Sequence, residues 1–361
     1  MNITELLAFA VKEGASDAHL SSGEPPMLRI HGDIKRVDHP ALTRDEVHTM
    51  AFDVMNDAQR RIFQEKLDID FSFELGDVAR FRVNVFLTRR GEAAVFRVIP
   101  SQIVTLDELA MPPVLKDICK RERGFVLVTG PTGCGKSTTL AAMIHHINET
   151  EEVTIITIED PIEFVHQSKK ALINQREVGM HTHSFANALR GALREDPDVI
   201  LVGEMRDLET IALALTAAET GQLVFATLHT SSAPKTVDRV IDAFPSEQQN
   251  QVRTMLSESL LAVITQTLCK RKGGGRVAAL EILVGVPAVR NLIREGKIHQ
   301  LPSVMQTGQR QGMQTLDMAL QDLVARGLIT KEEAQLKAAN PQLFGAPAVG
   351  TSLAGATGVR S

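Results

Sequence analysis

The sequence predicts an α/β fold class in which a small α+β domain precedes a larger domain built on a mostly parallel sheet. Three observations support this prediction. The 361 residues exceed what one ordinary hydrophobic core supports. The first hundred residues contain alternating strands and a hairpin pattern. From about residue 116, apolar strands alternate with amphipathic helices, which is typical of parallel sheets covered by helices on both faces.

The first predicted domain covers residues 1–99. Apolar residues at helical spacing predict an amphipathic helix over residues 2–14. The segment PPMLRIHGDI predicts a strand that enters a tight turn at residues 31–33. Thr43 and Glu46 have the spacing of a capping box, so a helix begins there. Alternation then predicts three strands, the last two flanking the turn RRG as a hairpin: DIDFSFEL, ARFRVNVFLT and EAAVFRVIP.

A linker over residues 100–115 and a second domain over residues 116–344 follow. The linker is predicted because the segment contains three prolines and no clear periodicity. Four apolar segments are the predicted strands of the second domain: FVLVTG, VTIITIE, DVILVGE and LVFATLHT. Residues 345–361 are small, polar and without periodicity, which predicts a disordered tail.

The composition excludes several classes of protein. With 39 basic and 44 acidic residues, the net charge of −5 gives no electrostatic reason to expect a nucleic-acid partner. Three widely spaced cysteines predict reduced thiols in a cytosolic protein. The N-terminal segment lacks a signal-peptide pattern, and no apolar run approaches the roughly 18 residues that span a bilayer. We therefore expect a cytoplasmic protein without direct membrane insertion.

A phosphate-binding loop is the strongest chemical signal. Gly130, Gly135, Lys136 and Ser137 match G-x-x-x-x-G-K-[ST] between an apolar strand and an amphipathic helix. In such a loop, backbone N–H groups and the lysine bind phosphates, and the serine hydroxyl binds Mg²⁺. The predicted nucleotide-binding residues are Gly130, Pro131, Thr132, Gly133, Cys134, Gly135, Lys136, Ser137 and Thr138. The pattern differs from the G-x-G-x-x-G fingerprint of dinucleotide sites.

Carboxylates follow two of the apolar strands. One strand runs into Glu159, Asp160 and then Glu163, and another ends at Glu204. Parallel strands deliver their carboxyl ends to one edge of the sheet, where an acid holds Mg²⁺ or orients the attacking water. A helix cap or a solvated loop charge is the alternative for each acid. His229 ends a third strand, where it is either a sensor of the γ-phosphate or an ordinary core or loop histidine.

Four segments together resemble the type II/IV secretion ATPases. GPTGCGKSTTLAAM, ITIEDPIEF, LREDPDVILVGEMRDLETI and TAAETGQLVFATLHT are similar to that family's Walker A, Asp box, Walker B and His box, in the same order. The resemblance covers roughly residues 1–340. GASDAHL is similar to the start of the family's N-terminal domain, and PAVRNLIREGK, residues 287–297, resembles the signature of its pilus-retraction members. An ordinary amphipathic helix also explains that last pattern.

The resemblance implies a hexameric ring in which each subunit joins a PAS-like N-terminal domain to a RecA-like P-loop ATPase domain. It implies ATP as the nucleotide and Mg²⁺ as the metal, the latter held by Ser137. Glu204 corresponds to the catalytic glutamate, Glu163 to the Asp-box acid and His229 to the second histidine of the His box. Arg82 and Arg97 correspond to arginines that act on the nucleotide like arginine fingers, with a solvated strand face as the alternative.

The family also implies partners and a cellular place. These are five further copies of the chain, an inner-membrane platform protein of the pilus and an accessory retraction ATPase, with a peripheral location at the pilus base. The implied function is pilus disassembly and retraction. The alternatives are an accessory retraction ATPase, an assembly motor, a nucleotide-binding scaffold without hydrolysis and a nucleic-acid translocase. Two departures stand out: Gln222 replaces the first histidine of the His box, and Cys134 stands where serine is common.

Overall fold

The computed structural model describes residues 2–30, 32–76, 78–99 and 102–345. Its contacts form two compact units: Met1–Ile103 with Ile158–Ser168 and Gln175–Ser184, and Val104–Thr157 with Lys169–Asn174 and Phe185–Ser361. Two segments from the predicted second domain thus group with the first unit, and the predicted boundaries at residues 99 and 116 stay predictions. All of the predicted tail except Gly345 lies outside the described residues, as does His31 of the predicted turn.

The first unit contains an antiparallel sheet of six strands in the order β3-β2-β1-β6-β5-β4. The strands are β1 (Asp17–Ser21), β2 (Met27–Ile30), β3 (Asp33–Arg36), β4 (Asp68–Leu75), β5 (Ala79–Thr88) and β6 (Gly91–Ile99). Three helices accompany it: α1 (Ile3–Lys12), α2 (Arg44–Asp53) and α3 (Asp57–Lys66). Alternate strand residues such as Phe81, Val83 and Phe96 are buried among the apolar residues of the helices. The predicted hairpin is confirmed as β5 and β6.

Capping boxes determine where the helices of this unit begin. At Thr43, the side chain accepts a hydrogen bond from the Glu46 N–H, and the Glu46 carboxylate accepts one from the Thr43 N–H, as predicted. The same arrangement begins α1 at Asn2 and α3 at Asn56. No pattern in the sequence singled out helix α3, because most of its residues are polar and Phe63 is its one buried side chain.

The larger sheet has seven strands in the order β13-β12-β7-β11-β10-β8-β9. They are β7 (Gly124–Thr129), β8 (Thr154–Glu159), β9 (Leu172–Glu177), β10 (Val199–Val202), β11 (Leu223–Leu228), β12 (Leu260–Lys270) and β13 (Arg276–Val284). Strand β7 pairs in parallel with β11 and β12, and β10 pairs in parallel with β11. The sheet is therefore mostly parallel at its centre, as predicted, while β13 runs antiparallel to β12.

Helices flank this sheet and continue beyond it. The helices are α4 (Val114–Cys119), α5 (Lys136–Thr150), α6 (Phe185–Ala192), α7 (Leu208–Thr220), α8 (Ala233–Asp242), α9 (Gln249–Ser259), α10 (Pro287–Arg294), α11 (Leu301–Thr307), α12 (Leu316–Ala325) and α13 (Lys331–Lys337). Short 3₁₀ turns cover Ile298–Gln300, Gln309–Gln311 and Pro341–Phe344. Strands β7 and β11 are buried at every residue, which is why their sequences read as continuous apolar runs.

Within the described ranges, no helix combines the length and apolar character that crossing a bilayer requires. Cys119, Cys134 and Cys269 are free and buried.

Candidate active site

The phosphate loop joins β7 to α5 and is built around glycines. Gly130, Gly133 and Gly135 all have positive φ, between 76° and 138°, a conformation that residues with a Cβ rarely adopt. Lys136 begins α5, and its Nζ donates to the carbonyl oxygens of Gly130 at 2.9 Å and Pro131 at 3.2 Å. The ammonium therefore lies over the loop at the N-terminus of a helix, where a phosphate is favoured by the helix dipole and free N–H groups.

Gln266, on β12, is in direct contact with this loop and was missed by the sequence analysis. Its Nε2 donates to the carbonyl oxygen of Cys134 at 2.6 Å, and its Oε1 accepts from the Thr139 hydroxyl at 2.7 Å. The side chain is buried. The only signal in the sequence was a polar residue within the apolar pattern of a strand, which by itself identifies no partner.

Strand order brings Glu204 and His229 to the same edge of the sheet as the phosphate loop. Thr129, the last residue of β7, lies beside Leu228 at the end of the parallel strand β11, and His229 follows. Val202 at the end of β10 pairs with Ala226 of β11, and Glu204 lies two residues beyond it. Three loops with potential chemistry thus leave neighbouring parallel strands on one side, the arrangement on which open α/β sheets build ligand sites.

Glu204 lies between two cationic or potentially cationic side chains. Its Oε2 accepts from Arg206 Nη2 at 2.8 Å, and its Oε1 contacts His229 Nε2 at 2.9 Å. The hydrogen bond and positive charge of Arg206, with a smaller contribution from His229, hold the pKa of Glu204 below its usual value although partial burial opposes this. The carboxylate is therefore ionised at neutral pH and available to accept a proton or orient water.

The two histidine-box positions lie at opposite ends of β11. Gln222 precedes the strand, where its backbone carbonyl accepts from the Gly124 N–H at the start of β7. His229 follows the strand, so the two positions are seven residues apart along an extended chain, a separation of about 23 Å. Gln222 therefore lies away from the edge of the sheet that carries the phosphate loop. At the other departure, burial raises the pKa of the Cys134 thiol, and only its backbone carbonyl contacts Gln266.

Arg82 and Arg97 are directly opposite each other on β5 and β6 of the first unit. Directly paired residues of antiparallel strands project to the same face of the sheet. Arg97 Nε donates to Asp17 Oδ1 at 2.9 Å, whereas Arg82 Nε is 3.9 Å from Asp70 Oδ1. The Arg97 side chain is 65% exposed and the Arg82 side chain is 40% exposed, so each guanidinium keeps donors accessible to a further anion.

Two glutamates that follow β8 in the chain, Glu163 and Glu177, differ in environment. Glu163 is exposed in the first unit. Glu177 of the same unit, which no pattern in the sequence singles out, is buried and accepts from Arg80 Nη2 at 2.7 Å, Ser72 Oγ at 3.1 Å and the Ile162 N–H at 3.0 Å. These donors tie the segment before Glu163 to the first sheet. Glu177 therefore has a structural role in positioning that segment.

The chain matches the family described as type II/IV secretion system protein over residues 1–336. The type IV pilus retraction ATPase PilT of Pseudomonas aeruginosa is 62% identical over 344 residues, which cover 95% of this chain and all of that protein. The type IV pilus ATPase PilU of the same organism is 41% identical over 335 residues, covering 92% of this chain and 88% of that protein.

A solved structure has the same fold over nearly the whole length. The crystal structure of the pilus retraction motor PilT with bound ADP matches with a TM-score of 0.90 and 50% sequence identity, covering 95% of this chain and 98% of that one. The expected fold class, an N-terminal domain followed by a RecA-like ATPase domain, is confirmed.

Proposed function

The chain belongs to the type II/IV secretion system protein family, and we propose that it is a homohexameric, Mg²⁺-dependent ATPase that drives retraction of a type IV pilus. The observation that carries the proposal is the joint presence of a glycine-built phosphate loop and an ionised Glu204 at one edge of the sheet. The 62% identity to a pilus retraction ATPase over 95% of the chain supports the direction of movement.

Binding is proposed to begin at the phosphate loop. The N–H groups of residues 132–138 and the N-terminus of α5 favour the negative phosphates, and Lys136, which lies over the loop, would contact the terminal phosphates. Because the lysine is already held by two carbonyl oxygens, little reorganisation precedes binding.

Mg²⁺ fits the donors available beside this loop. Ser137 places a hydroxyl oxygen in the first turn of α5, and hydroxyl, phosphate and water oxygens are the hard ligands that Mg²⁺ prefers. We assign Ser137 as the protein ligand. An ion held there by Ser137 would offset the negative charge that develops during phosphoryl transfer.

Glu204 is proposed to orient and deprotonate the attacking water. Its low pKa makes it a weak base, so orientation contributes more than proton abstraction. His229 holds one carboxylate oxygen and Arg206 the other, which restricts the rotation of the carboxylate. Arg82, Arg97 and Glu163 are proposed to have the roles that the family resemblance implies: two arginines that stabilise charge on the γ-phosphate, and an accessory acid.

The proposed consequence of hydrolysis is motion of one domain relative to the other, which would turn an inner-membrane platform protein that extracts pilins. An accessory retraction ATPase is both a proposed partner and the alternative identity, and the lower identity to PilU makes it the weaker candidate. An assembly motor is disfavoured because its family members usually carry a four-cysteine zinc motif, and this chain has three cysteines. A scaffold without hydrolysis is disfavoured by Lys136, Ser137 and Glu204.

A deletion strain of the source organism, complemented with the wild-type chain or with Glu204→Gln, tests the proposal. Surface pili are counted and twitching is scored. We expect abundant pili that do not retract, restored by the wild-type chain and not by Glu204→Gln. Cells without pili would instead identify an assembly motor, and restoration by Glu204→Gln would remove hydrolysis from the function.

A further inference from the structure

Buried polar side chains gather beneath the phosphate loop. Five of them are at most 4% exposed: Thr129, Thr139, Thr236, Thr265 and Gln266. They lie on four elements that converge on the loop, namely the end of β7, the first turns of α5 and α8, and the middle of β12. Burying a hydroxyl or an amide costs free energy unless its hydrogen bonds are made. This concentration therefore requires an explanation beyond packing.

Gln266 lies against three residues of the phosphate loop: Gly130, Cys134 and Gly135. Its amide links the Cys134 carbonyl in the loop to the Thr139 hydroxyl in α5. Its backbone lies so close to Gly130 that a Cβ there would be 2.4 Å from the Gln266 carbonyl oxygen. A Cβ at Gly135 would be 2.8 Å from Gln266 Nε2. The two motif glycines are thus required by contact with Gln266 as well as by the approach of a phosphate.

A second set of hydrogen-bonded hydroxyls begins at Thr265, which precedes Gln266 on β12 and projects to the opposite face of the sheet, and it extends toward His229. Thr265, next to Gln266, is 2.8 Å from the Thr129 hydroxyl, which lies 3.4 Å from that of Thr236. Thr236 donates to the Ser232 carbonyl and contacts the Thr230 hydroxyl at 2.7 Å. Thr230 directly follows His229. This set of hydroxyls therefore joins the strand that ends in the phosphate loop to the segment that holds the partner of Glu204.

We propose that Gln266 and the threonines 129, 139, 230, 236 and 265 form a brace that positions the phosphate loop and couples it to the His229 segment. Gln266 and Thr139 hold the loop in its binding conformation, and the remaining threonines hold His229 in place against Glu204. These are positioning residues, since none is proposed to contact the nucleotide. The inference rests on the proposed ATPase function.

The polarity and shape of the brace support a positioning role over a stabilising one. Replacing both members of a buried hydrogen-bonded pair with apolar side chains of similar shape is nearly neutral for stability, so packing alone does not require these hydroxyls. Hydroxyls instead restrict each element to one register, because every group must meet its partner at hydrogen-bond distance. Such restriction matters where displacement of a reacting group by about 1 Å lowers the rate substantially.

The part of the brace that holds the phosphate loop, Gln266 with Thr139, is tested by the ADP affinity of the full-length protein. The affinity is measured by isothermal titration with Mg²⁺ present. For Gln266→Met we expect ADP binding weakened by about tenfold or more, because the loss of the hydrogen bonds from Gln266 to Cys134 and from Thr139 to Gln266 removes the contacts that pre-organise the loop and the start of α5. Thr139→Val should weaken binding in the same direction, and Thr139→Ser, which keeps the hydroxyl, should restore it. Thr216→Val is the matched control, because its exposed hydroxyl bonds to a carbonyl of its own helix.

The outcomes separate the brace from the function itself. If the wild-type chain binds ADP no better than Lys136→Ala, which should lose nucleotide binding, the proposed function is wrong. If the wild-type chain binds ADP and both Gln266→Met and Thr139→Val bind ADP with wild-type affinity, the proposed brace is wrong while the proposed function stands. Lower melting temperatures with unchanged ADP affinity would also overturn the brace, since they indicate packing alone. If Gln266→Met does not fold, the comparison of Thr139→Val with Thr139→Ser decides.

The part of the brace that holds the His229 segment, the threonines other than Thr139, is tested by steady-state ATPase kinetics. For Thr236→Val we expect kcat lowered by about tenfold with ADP affinity within about twofold of wild type, because the loop keeps Gln266 while the His229 segment is released. Thr236→Ser should recover most of kcat. An unchanged kcat in Thr236→Val would overturn the coupling.

Discussion

Glu204 is a surface-edge carboxylate whose two oxygens are both engaged. Arg206 and His229 approach different oxygens, so the carboxylate is fixed in orientation and stays ionised. The Arg206 side chain is 68% exposed, so water and salt screen much of its charge. The fixed geometry therefore matters more for catalysis than the ion pair matters for stability.

Replacing Glu204 with glutamine is expected to remove hydrolysis and retain binding. The amide keeps the volume of the side chain and loses the charge that orients water, so kcat should fall by at least about 100-fold while ADP affinity stays within a few-fold. Steady-state kinetics and isothermal titration measure the two quantities. The exposed Glu219→Gln is the control, and unchanged turnover in Glu204→Gln would remove Glu204 from the catalytic role.

The acid limit of ATP hydrolysis should depend on Arg206. Because Arg206 lowers the pKa of Glu204, Arg206→Ala raises that pKa, and the carboxylate becomes protonated at higher pH as the solution is acidified. The acid limb of the kcat/KM profile should therefore move to higher pH. Arg206→Lys, which keeps the charge, should move it less. An acid limb that stays in place in Arg206→Ala would show that another group controls it.

At the scale of elements, the hairpin of β5 and β6 brings two arginines together on one face of a sheet. Antiparallel register places Arg82 opposite Arg97, and the row continues through Asp17 on β1 to Arg29 on β2. Arg97 and Arg29 share the carboxylate of Asp17, which is 2.9 Å from the first guanidinium and 3.8 Å from the second. Three guanidinium groups thus lie near two carboxylates, those of Asp17 and Asp70, and the remaining positive charge suits an anion.

Removing the hairpin arginines is expected to lower turnover more than ATP affinity. Arg82→Ala or Arg97→Ala should each reduce kcat by about 10- to 1,000-fold, because an arginine that acts on the γ-phosphate stabilises charge that develops in the transition state. Arg36→Ala is the matched control: its side chain is 64% exposed, lies on the outer strand of the same sheet and pairs with Glu24. If both hairpin variants retain wild-type kcat, these arginines are outside the reaction.

At the scale of the whole molecule, the chain forms two units, and the backbone passes from one to the other several times. The first unit takes Ile158–Ser168 and Gln175–Ser184 from beyond the start of the second unit. Neither unit is therefore one continuous stretch of sequence. Any isolated half of the chain would lack part of its own contacts, so measurements belong on the full-length protein.

The proposed ring predicts the solution mass of that protein. With Mg²⁺ and ADP present, size-exclusion chromatography coupled to light scattering should give a mass of six chains, because closed rings are the usual outcome when one surface contacts a different surface of the next copy. Lys136→Ala, which should lose nucleotide binding, is compared under the same conditions. A monomer or dimer at all nucleotide and protein concentrations tested would contradict the ring.

Local patterns in the sequence predicted the elements that carry the chemistry. The phosphate loop, the capping box at Thr43, the hairpin and the buried strands β7 and β11 all depend on short-range spacing, which the sequence displays directly. Helix α3, the 3₁₀ turns and the strands β1, β3, β9, β12 and β13 were missed. Their periodicity is weak or interrupted by polar residues whose partners lie far along the chain.

The sequence by itself determined the α/β class, the phosphate loop and the acids and histidine at strand ends, because each follows from local spacing and strand polarity. Only the tertiary structure decided that Glu177 is a buried anchor and that Gln266 supports the phosphate loop. The physical reason is that a buried polar side chain acquires its role from its partner. The partner of Gln266 is 132 residues away, at Cys134.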